Sequence, residues 1–234
     1  MYILLAAATS FEIQPSIDLL RGRRDLLQER GPGPDSHEWG VLITGIGSVA
    51  ATHSIMRQIG RRRPDIIIQA GIAGCFTGRP AGDVVVVEEE APGDTGVWEG
   101  GHFKSLFDLG LVGKDTRPFK GGNLANPYRG LLSIGGLEGV RGITVNTIST
   151  DPAGIAWLQQ NRAPVVESME GAALHYCCLE EKVAFVQYRS ISNAIGERDK
   201  TKWNFPAAIG NLNLRLAELV RLLDRCGREV IDLR

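Results

Sequence analysis

Two unbroken apolar runs constrain this chain most: Ile66-Ile67-Ile68, inside Asp65–Ala70, and Val84-Val85-Val86-Val87, directly after Asp83. A strand with one face in water alternates apolar and polar residues. These runs do not alternate, so they predict central strands covered on both faces. Strand-like and helix-like segments alternate around them almost from end to end. The strands expected are Ile3–Ala8, Trp39–Thr44, Gly142–Ile148, the short pair Val165–Val166, and Val183–Ser192. The helices expected run from about Ser10 to Leu27, from near Ser48, over Pro152–Gln160 and Met169–Glu181, and from about Phe205 to Leu223. Gly31–Asp35 reads as a turn, and Gly45-Ile46-Gly47 as another. Together these predict an α/β fold: one domain over residues 1–234, three layers α/β/α, with a central mixed, largely parallel sheet. Residues Pro92 to Asn126 lose periodicity and read as an excursion over the sheet edge, with Trp98, Phe103 and Phe107 exposed and available to a second subunit.

Composition narrows the partners. With 234 residues, 43% apolar and 23% charged, the chain is long enough to bury a full core. A net charge of −1 gives no reason to expect nucleic acid or a membrane surface as partner. Arg61-Arg62-Arg63 reads as a solvated helix end. The apolar start lacks a basic leader and the length of a membrane span, so it reads as a buried strand, and cytoplasm is the expected location. Cys75, Cys177, Cys178 and Cys226 show no metal-finger spacing, and the four histidines form no HExxH. No metal and no cofactor are expected.

The candidate chemistry gathers at one end of the expected sheet. Glu170 begins a helix and Asn193 ends the strand that follows, so both face the same crevice of an α/β sheet. A carboxylate accepts two hydrogen bonds, which suits a ribose 2′,3′-diol, and Met169 beside it offers an apolar platform. The alternative for Glu170 is an ordinary first-turn acid complementing the helix dipole. An amide offers an acceptor to a protonated N7 and donors to a 6-oxo group, so Asn193 suits a 6-oxopurine; its alternative is a turn-capping role. Glu12, just past the first strand, suits activation of water. Gly71-Ile72-Ala73-Gly74, read as a glycine turn after a buried strand, lets backbone N–H groups approach a ligand. Glu88-Glu89-Glu90 reads as a solvated strand end.

Several of these segments coincide with one family. Ala8-Thr9-Ser10-Phe11-Glu12, Thr44–Ala51, Pro64–Gly74, Gly82–Val86, Glu167-Ser168-Met169-Glu170-Gly171-Ala172-Ala173 and Arg189-Ser190-Ile191-Ser192-Asn193 together resemble the nucleoside phosphorylase/nucleosidase superfamily and, within it, the futalosine hydrolases. The resemblance implies a nucleoside phosphorylase-like fold, no cofactor and a homo-oligomer. It also implies hydrolysis of a purine N-glycosidic bond, most closely futalosine to hypoxanthine in menaquinone biosynthesis. It makes Glu12 the base on water, Met169 and Glu170 the ribose platform, and Arg189 a group that places the water. Ser192 and Asn193 would stand at the base edge, with the backbone of Ile72, Ala73 and Gly74 near the nucleophile. Two positions depart from the related methylthioadenosine/S-adenosylhomocysteine nucleosidases. Asn193 stands where they carry Asp, which fits a 6-oxopurine. Ser149 and Thr150 stand where they carry a stacking Phe, which leaves an aromatic of the 92–126 excursion or of a second subunit for that task. A phosphorylase is the alternative reaction, but Ala7–Pro15 holds no Arg, Lys or Gly to receive phosphate. A methylthioadenosine/S-adenosylhomocysteine nucleosidase is a further alternative, and a purine-nucleoside-binding domain without catalysis is the non-enzymatic one.

Overall fold

The computed structural model describes residues 1–30 and 37–232, so the turn expected at Gly31–Asp35 lies outside the described residues. The elements are β1 (Tyr2–Ala7), α1 (Ser10–Arg30), β2 (Glu38–Ile43), α2 (Ser48–Arg61), β3 (Ile66–Cys75), β4 (Val84–Pro92), β5 (Gly96–Glu99), β6 (His102–Ser105), β7 (Leu124–Ala125) and α3 (Arg129–Ser133). They continue with β8 (Gly139–Thr144), α4 (Pro152–Arg162), β9 (Val166–Ser168), α5 (Gly171–Glu181), β10 (Ala184–Ala194), α6 (Phe205–Leu223) and α7 (Glu229–Asp232).

The fold is mixed α/β around a mixed sheet. β1 pairs in parallel with β2 and β3, β3 with β10, β4 with β8, and β8 with β9. β10–β4, β3–β9 and β4–β7 are antiparallel. Strands β3, β10, β4, β8 and β9 therefore pair in a closed cycle, and β1 and β2 extend from β3. The apolar runs sit where their lack of alternation requires: Ile66, Ile67, Val85 and Val87 are fully buried. Helices α1 and α6 pack against each other, as do α2 and α5. Cys177 and Cys178 lie on α5 and are buried in the core.

Three expectations need correction. Gly71–Gly74 is not a turn after the strand; β3 runs through it to Cys75. The stretch from Pro92 to Asn126 is not structureless, because β5 and β6 form a hairpin within it. Phe103 and Phe107 are buried, Phe103 against Trp98 and Trp157 and Phe107 against Phe119, whereas Trp98 is half exposed. Local periodicity could not reveal this, because the burial of Phe103 depends in part on Trp157, more than fifty residues on.

Candidate active site

The pairing pattern leaves one gap in the sheet, and the candidate site is built on it. β1 covers β3 only from Ile66 to Gln69, and β9 covers it only at Gly74 and Cys75. Gly71-Ile72-Ala73 has β10 on one side and no strand on the other. A backbone N–H left open in a buried strand must find another acceptor. The Ile72 N–H donates to Glu12 Oε1 at 3.1 Å.

Glu12 reaches it through a broken helix. Pro15 lacks an N–H and crowds the preceding turn, and Ile13 has non-helical φ/ψ of −126° and 16°. A side-chain amide from α6 fills the interrupted hydrogen-bond ladder. Asn213 Nδ2 donates to the Glu12 carbonyl at 2.9 Å, and its Oδ1 accepts from the Ser16 N–H at 3.1 Å. The first turn is thereby held apart from the rest of α1. Glu12 Oε2 accepts from the Thr9 N–H at 3.1 Å and the Thr9 hydroxyl at 3.0 Å.

Glu170 is the N-cap residue of α5, yet its side chain makes no cap hydrogen bond. Its Oε1 instead accepts from the Gly47 N–H at 3.0 Å, and its Oε2 lies 3.7 Å from Arg189 Nη1. Gly47 adopts φ 91°, a left-handed conformation that suits glycine and turns its N–H toward this carboxylate. Arg189 is buried on β10 and donates from Nη2 to Gln69 Oε1 at 3.0 Å. A methyl on Gly71 would lie 2.5 Å from Arg189 Nη1 and 2.9 Å from Glu12 Oε1. The absent side chain is thus what lets the guanidinium and the Glu12 carboxylate converge on the same backbone atom.

A cavity of about 310 Å³ opens over this cluster. Glu12, Ile72, Ala73, Gly74, Met169, Glu170, Ser192 and Asn193 line it. Arg189 does not; it lies behind Gly71 and acts on the cavity through the residues it touches. A register shift between Ile191 and Asn193 marks Ser192 as the extra residue of a bulge, which re-aims both side chains. Asn193 Oδ1 accepts from the Ser192 hydroxyl at 2.7 Å, and its Nδ2 donates to the Ala194 carbonyl at 2.9 Å. That pattern sets the amide orientation and leaves one acceptor site and one N–H.

The sequence reading missed several contributors. Phe11, Trp203 and Phe205 line the cavity, with Phe205 meeting Phe11 and Trp203 edge to face at 6.4 and 5.5 Å. These aromatics come from the start of α1 and the approach to α6. The 92–126 excursion contributes none to this cavity, since Trp98 and Phe103 face a separate one. Glu90 is also corrected: it is buried, not a solvated strand end. A register shift between Val87 and Glu89 turns it inward, where it accepts from the Thr144 hydroxyl and the Gln187 amide, each at 3.1 Å. Burial pushes its carboxyl up to about 7, against the opposing pull of Arg189. Glu88 and Glu89 remain near the surface, paired with Arg129 and Arg141. Glu167 lines the cavity as well, with Oε1 accepting from the Ser149 N–H at 3.1 Å. Burial raises its pKa, and the contacts with Ser149 oppose the shift. Among the described residues, no group of three or more His, Cys, Asp or Glu stands close enough to hold a metal ion.

No protein-family model matches the chain. The futalosine hydrolase of Thermus thermophilus is 34% identical over 176 residues, covering 73% of this chain and 76% of that protein. That of Acidothermus cellulolyticus is 30% identical, covering 76% and 74%. The solved futalosine hydrolase of Helicobacter pylori superposes with a TM-score of 0.73 over 95% of this chain and 97% of that one, at 16% identity, and so establishes the fold alone. From the level and extent of the curated matches, the chain belongs to the futalosine hydrolase family.

Proposed function

We propose that the chain hydrolyses the N-glycosidic bond of a purine nucleoside, with futalosine as substrate and hypoxanthine as the released base. The observation that carries this reading is the setting of Glu12. Its carboxylate takes up the Thr9 and Ile72 N–H groups, the donors a phosphate would need at the mouth of this loop. A negative charge fixed there disfavours phosphate and favours water. A carboxylate accepts about four hydrogen bonds and three are in use, which leaves Oε1 one site for the proton of an attacking water.

The remaining groups divide the other tasks. Glu170 has lone pairs left for a ribose diol, and its charge faces the oxocarbenium character that develops as the bond stretches. Met169 lies beside it under the sugar. Asn193 offers its free acceptor site to a protonated N7 and its free N–H to O6. Arg189 fixes Glu170 and lies close to Glu12 through the space at Gly71, so it positions both carboxylates.

Chromatography of futalosine incubated with the protein tests this reading. Free hypoxanthine is expected at the same rate with and without phosphate. A ribose-1-phosphate-type product formed only with phosphate overturns it.

We read the chain as one domain with its helices in two layers about the sheet. Alternate residues of β10 support the layers, Gln187 interacting with His175 of α5 and Tyr188 with Arg215 and Glu218 of α6. A homo-oligomer is proposed as well. Phe11, Ile46 and Val49 are 64%, 62% and 83% exposed, and the first two line the cavity, an apolar rim suited to a second copy. A monomer by sedimentation at micromolar concentration would exclude it. No helix among the described residues is long and apolar enough to cross a membrane, and four free cysteines suit the cytoplasm.

A further inference from the structure

Glu170 stands at the N-cap of α5 and does not cap it. The first turn of a helix has no internal acceptors for its N–H groups, so an N-cap side chain ordinarily accepts from the N–H two or three residues on. Here the carboxylate is turned to the Gly47 N–H and toward Arg189 instead. Other groups must take up the N–H groups it leaves behind.

Two hydroxyls from neighbouring strands do so. Thr144 of β8 and Ser168 of β9 are register partners, which puts their side chains on one face of the sheet. The Gly171 N–H donates to Ser168 Oγ at 3.2 Å, and the Ala172 N–H donates to Thr144 Oγ1 at 2.7 Å. The Thr144 hydroxyl is itself fixed. Its proton goes to Glu90 Oε1 at 3.1 Å, which leaves its lone pairs for Ala172. Glu90 is held in turn by the Gln187 amide on Oε2, and a Cβ on Gly171 would collide with that oxygen. The buried carboxylate is thus packed against the residue that follows Glu170. Thr144 is 3% exposed and Glu90 1%, so water does not stand in for either.

We propose that Thr144 is a positioning residue for Glu170: its hydroxyl, oriented by Glu90, caps α5 in place of Glu170 and so keeps the Glu170 carboxylate on the cavity. This rests on Glu170 holding the ribose of a purine nucleoside. Without the hydroxyl, the Ala172 N–H loses its acceptor at the positive end of the helix. The N-cap side chain is the group the chain places to meet that donor, and at this N-cap it is the Glu170 carboxylate. Its return to the helix takes it off Gly47 and away from the ribose diol.

The test is Thr144→Val, which keeps the shape and removes the hydroxyl, beside Thr144→Ser, which retains it. Each is assayed on futalosine and on its 2′-deoxy analogue, which lacks one hydroxyl of the diol. Comparing the kcat/KM ratio of the two substrates between variants cancels any loss of folded protein and the intrinsic reactivity of the two glycosidic bonds. In Thr144→Val the ratio of futalosine to the deoxy analogue is expected to fall about tenfold or more, the worth of a hydrogen bond to a charged group. In Thr144→Ser it should match wild type. An unchanged ratio in Thr144→Val, or the same fall in both variants, overturns the assignment and leaves the hydrolase reading intact. Failure of wild type to hydrolyse futalosine overturns the hydrolase reading instead. A crystal structure of Thr144→Val decides the positioning without any substrate. The Glu170 carboxylate is expected on the Ala172 N–H, and a carboxylate still on Gly47 overturns the assignment.

Discussion

Replacing Glu12 by Gln separates what its carboxylate does for structure from what it does for chemistry. An amide has one oxygen where the carboxylate has two, and both oxygens face backbone N–H groups, those of Thr9 and Ile72. Either orientation sets an NH₂ against one of them. One lost buried hydrogen bond costs about 1–3 kcal/mol, against a typical domain stability of about 5–15 kcal/mol. The variant should stay folded, with Tm lower by about 2–12 °C, taking 2–4 °C per kcal/mol at this size. Loss of the general base is worth about 10²–10⁴ in turnover, or about 3–5.5 kcal/mol in the barrier. The chemical loss therefore exceeds the structural one. Well below both melting temperatures, hypoxanthine release should drop by that factor. Substrate binding by calorimetry should change only a few-fold, since Glu12 is not assigned to base or ribose. Turnover within tenfold of wild type would remove Glu12 as the base.

Three further outcomes follow from the geometry. Gly71→Ala adds one methyl where Arg189 and Glu12 converge; displacing them by a fraction of an ångström to an ångström should cost about 10²-fold in kcat/KM, and wild-type kinetics would show that the convergence is incidental. Asn193→Asp, protonated, donates to N7 while its other oxygen accepts from a 6-amino group. The 6-oxo to 6-amino ratio of kcat/KM should fall about ten- to hundredfold, and an unchanged ratio makes Asn193 a turn residue. Glu90, with a carboxyl pushed from 4.5 to about 7, keeps its proton longer in the folded than in the unfolded chain. Its contribution to stability is fully present below pH 4.5 and is lost as pH rises through about 7. The melting temperature of wild type should fall relative to that of Glu90→Gln over this window, and parallel pH profiles would refute the assignment.

What the sequence by itself determined is what local physics encodes. The unbroken runs at Ile66–Ile68 and Val84–Val87 required strands covered on both faces, and the extent of α6, Phe205–Leu223, followed from its amphipathic pattern. Residue types also marked Glu12, Glu170 and Asn193, since a carboxylate or amide at an expected element end is legible without coordinates. Tertiary structure alone decided the rest. That Gly71–Ala73 lies in a strand with one open edge depends on where β1 stops and β9 begins, and no segment of sequence contains that information. The inward turn of Glu90 depends on a bulge against β8, and the place of Asn193 beside the cavity on the register of β10 with β3, strands far apart in the chain. The helix expected from Ser10 to Leu27 is interrupted near Pro15, and the group that fills the break, Asn213, lies about two hundred residues away. Hydrogen-bond satisfaction and strand register are long-range conditions, met only when the whole sheet is assembled.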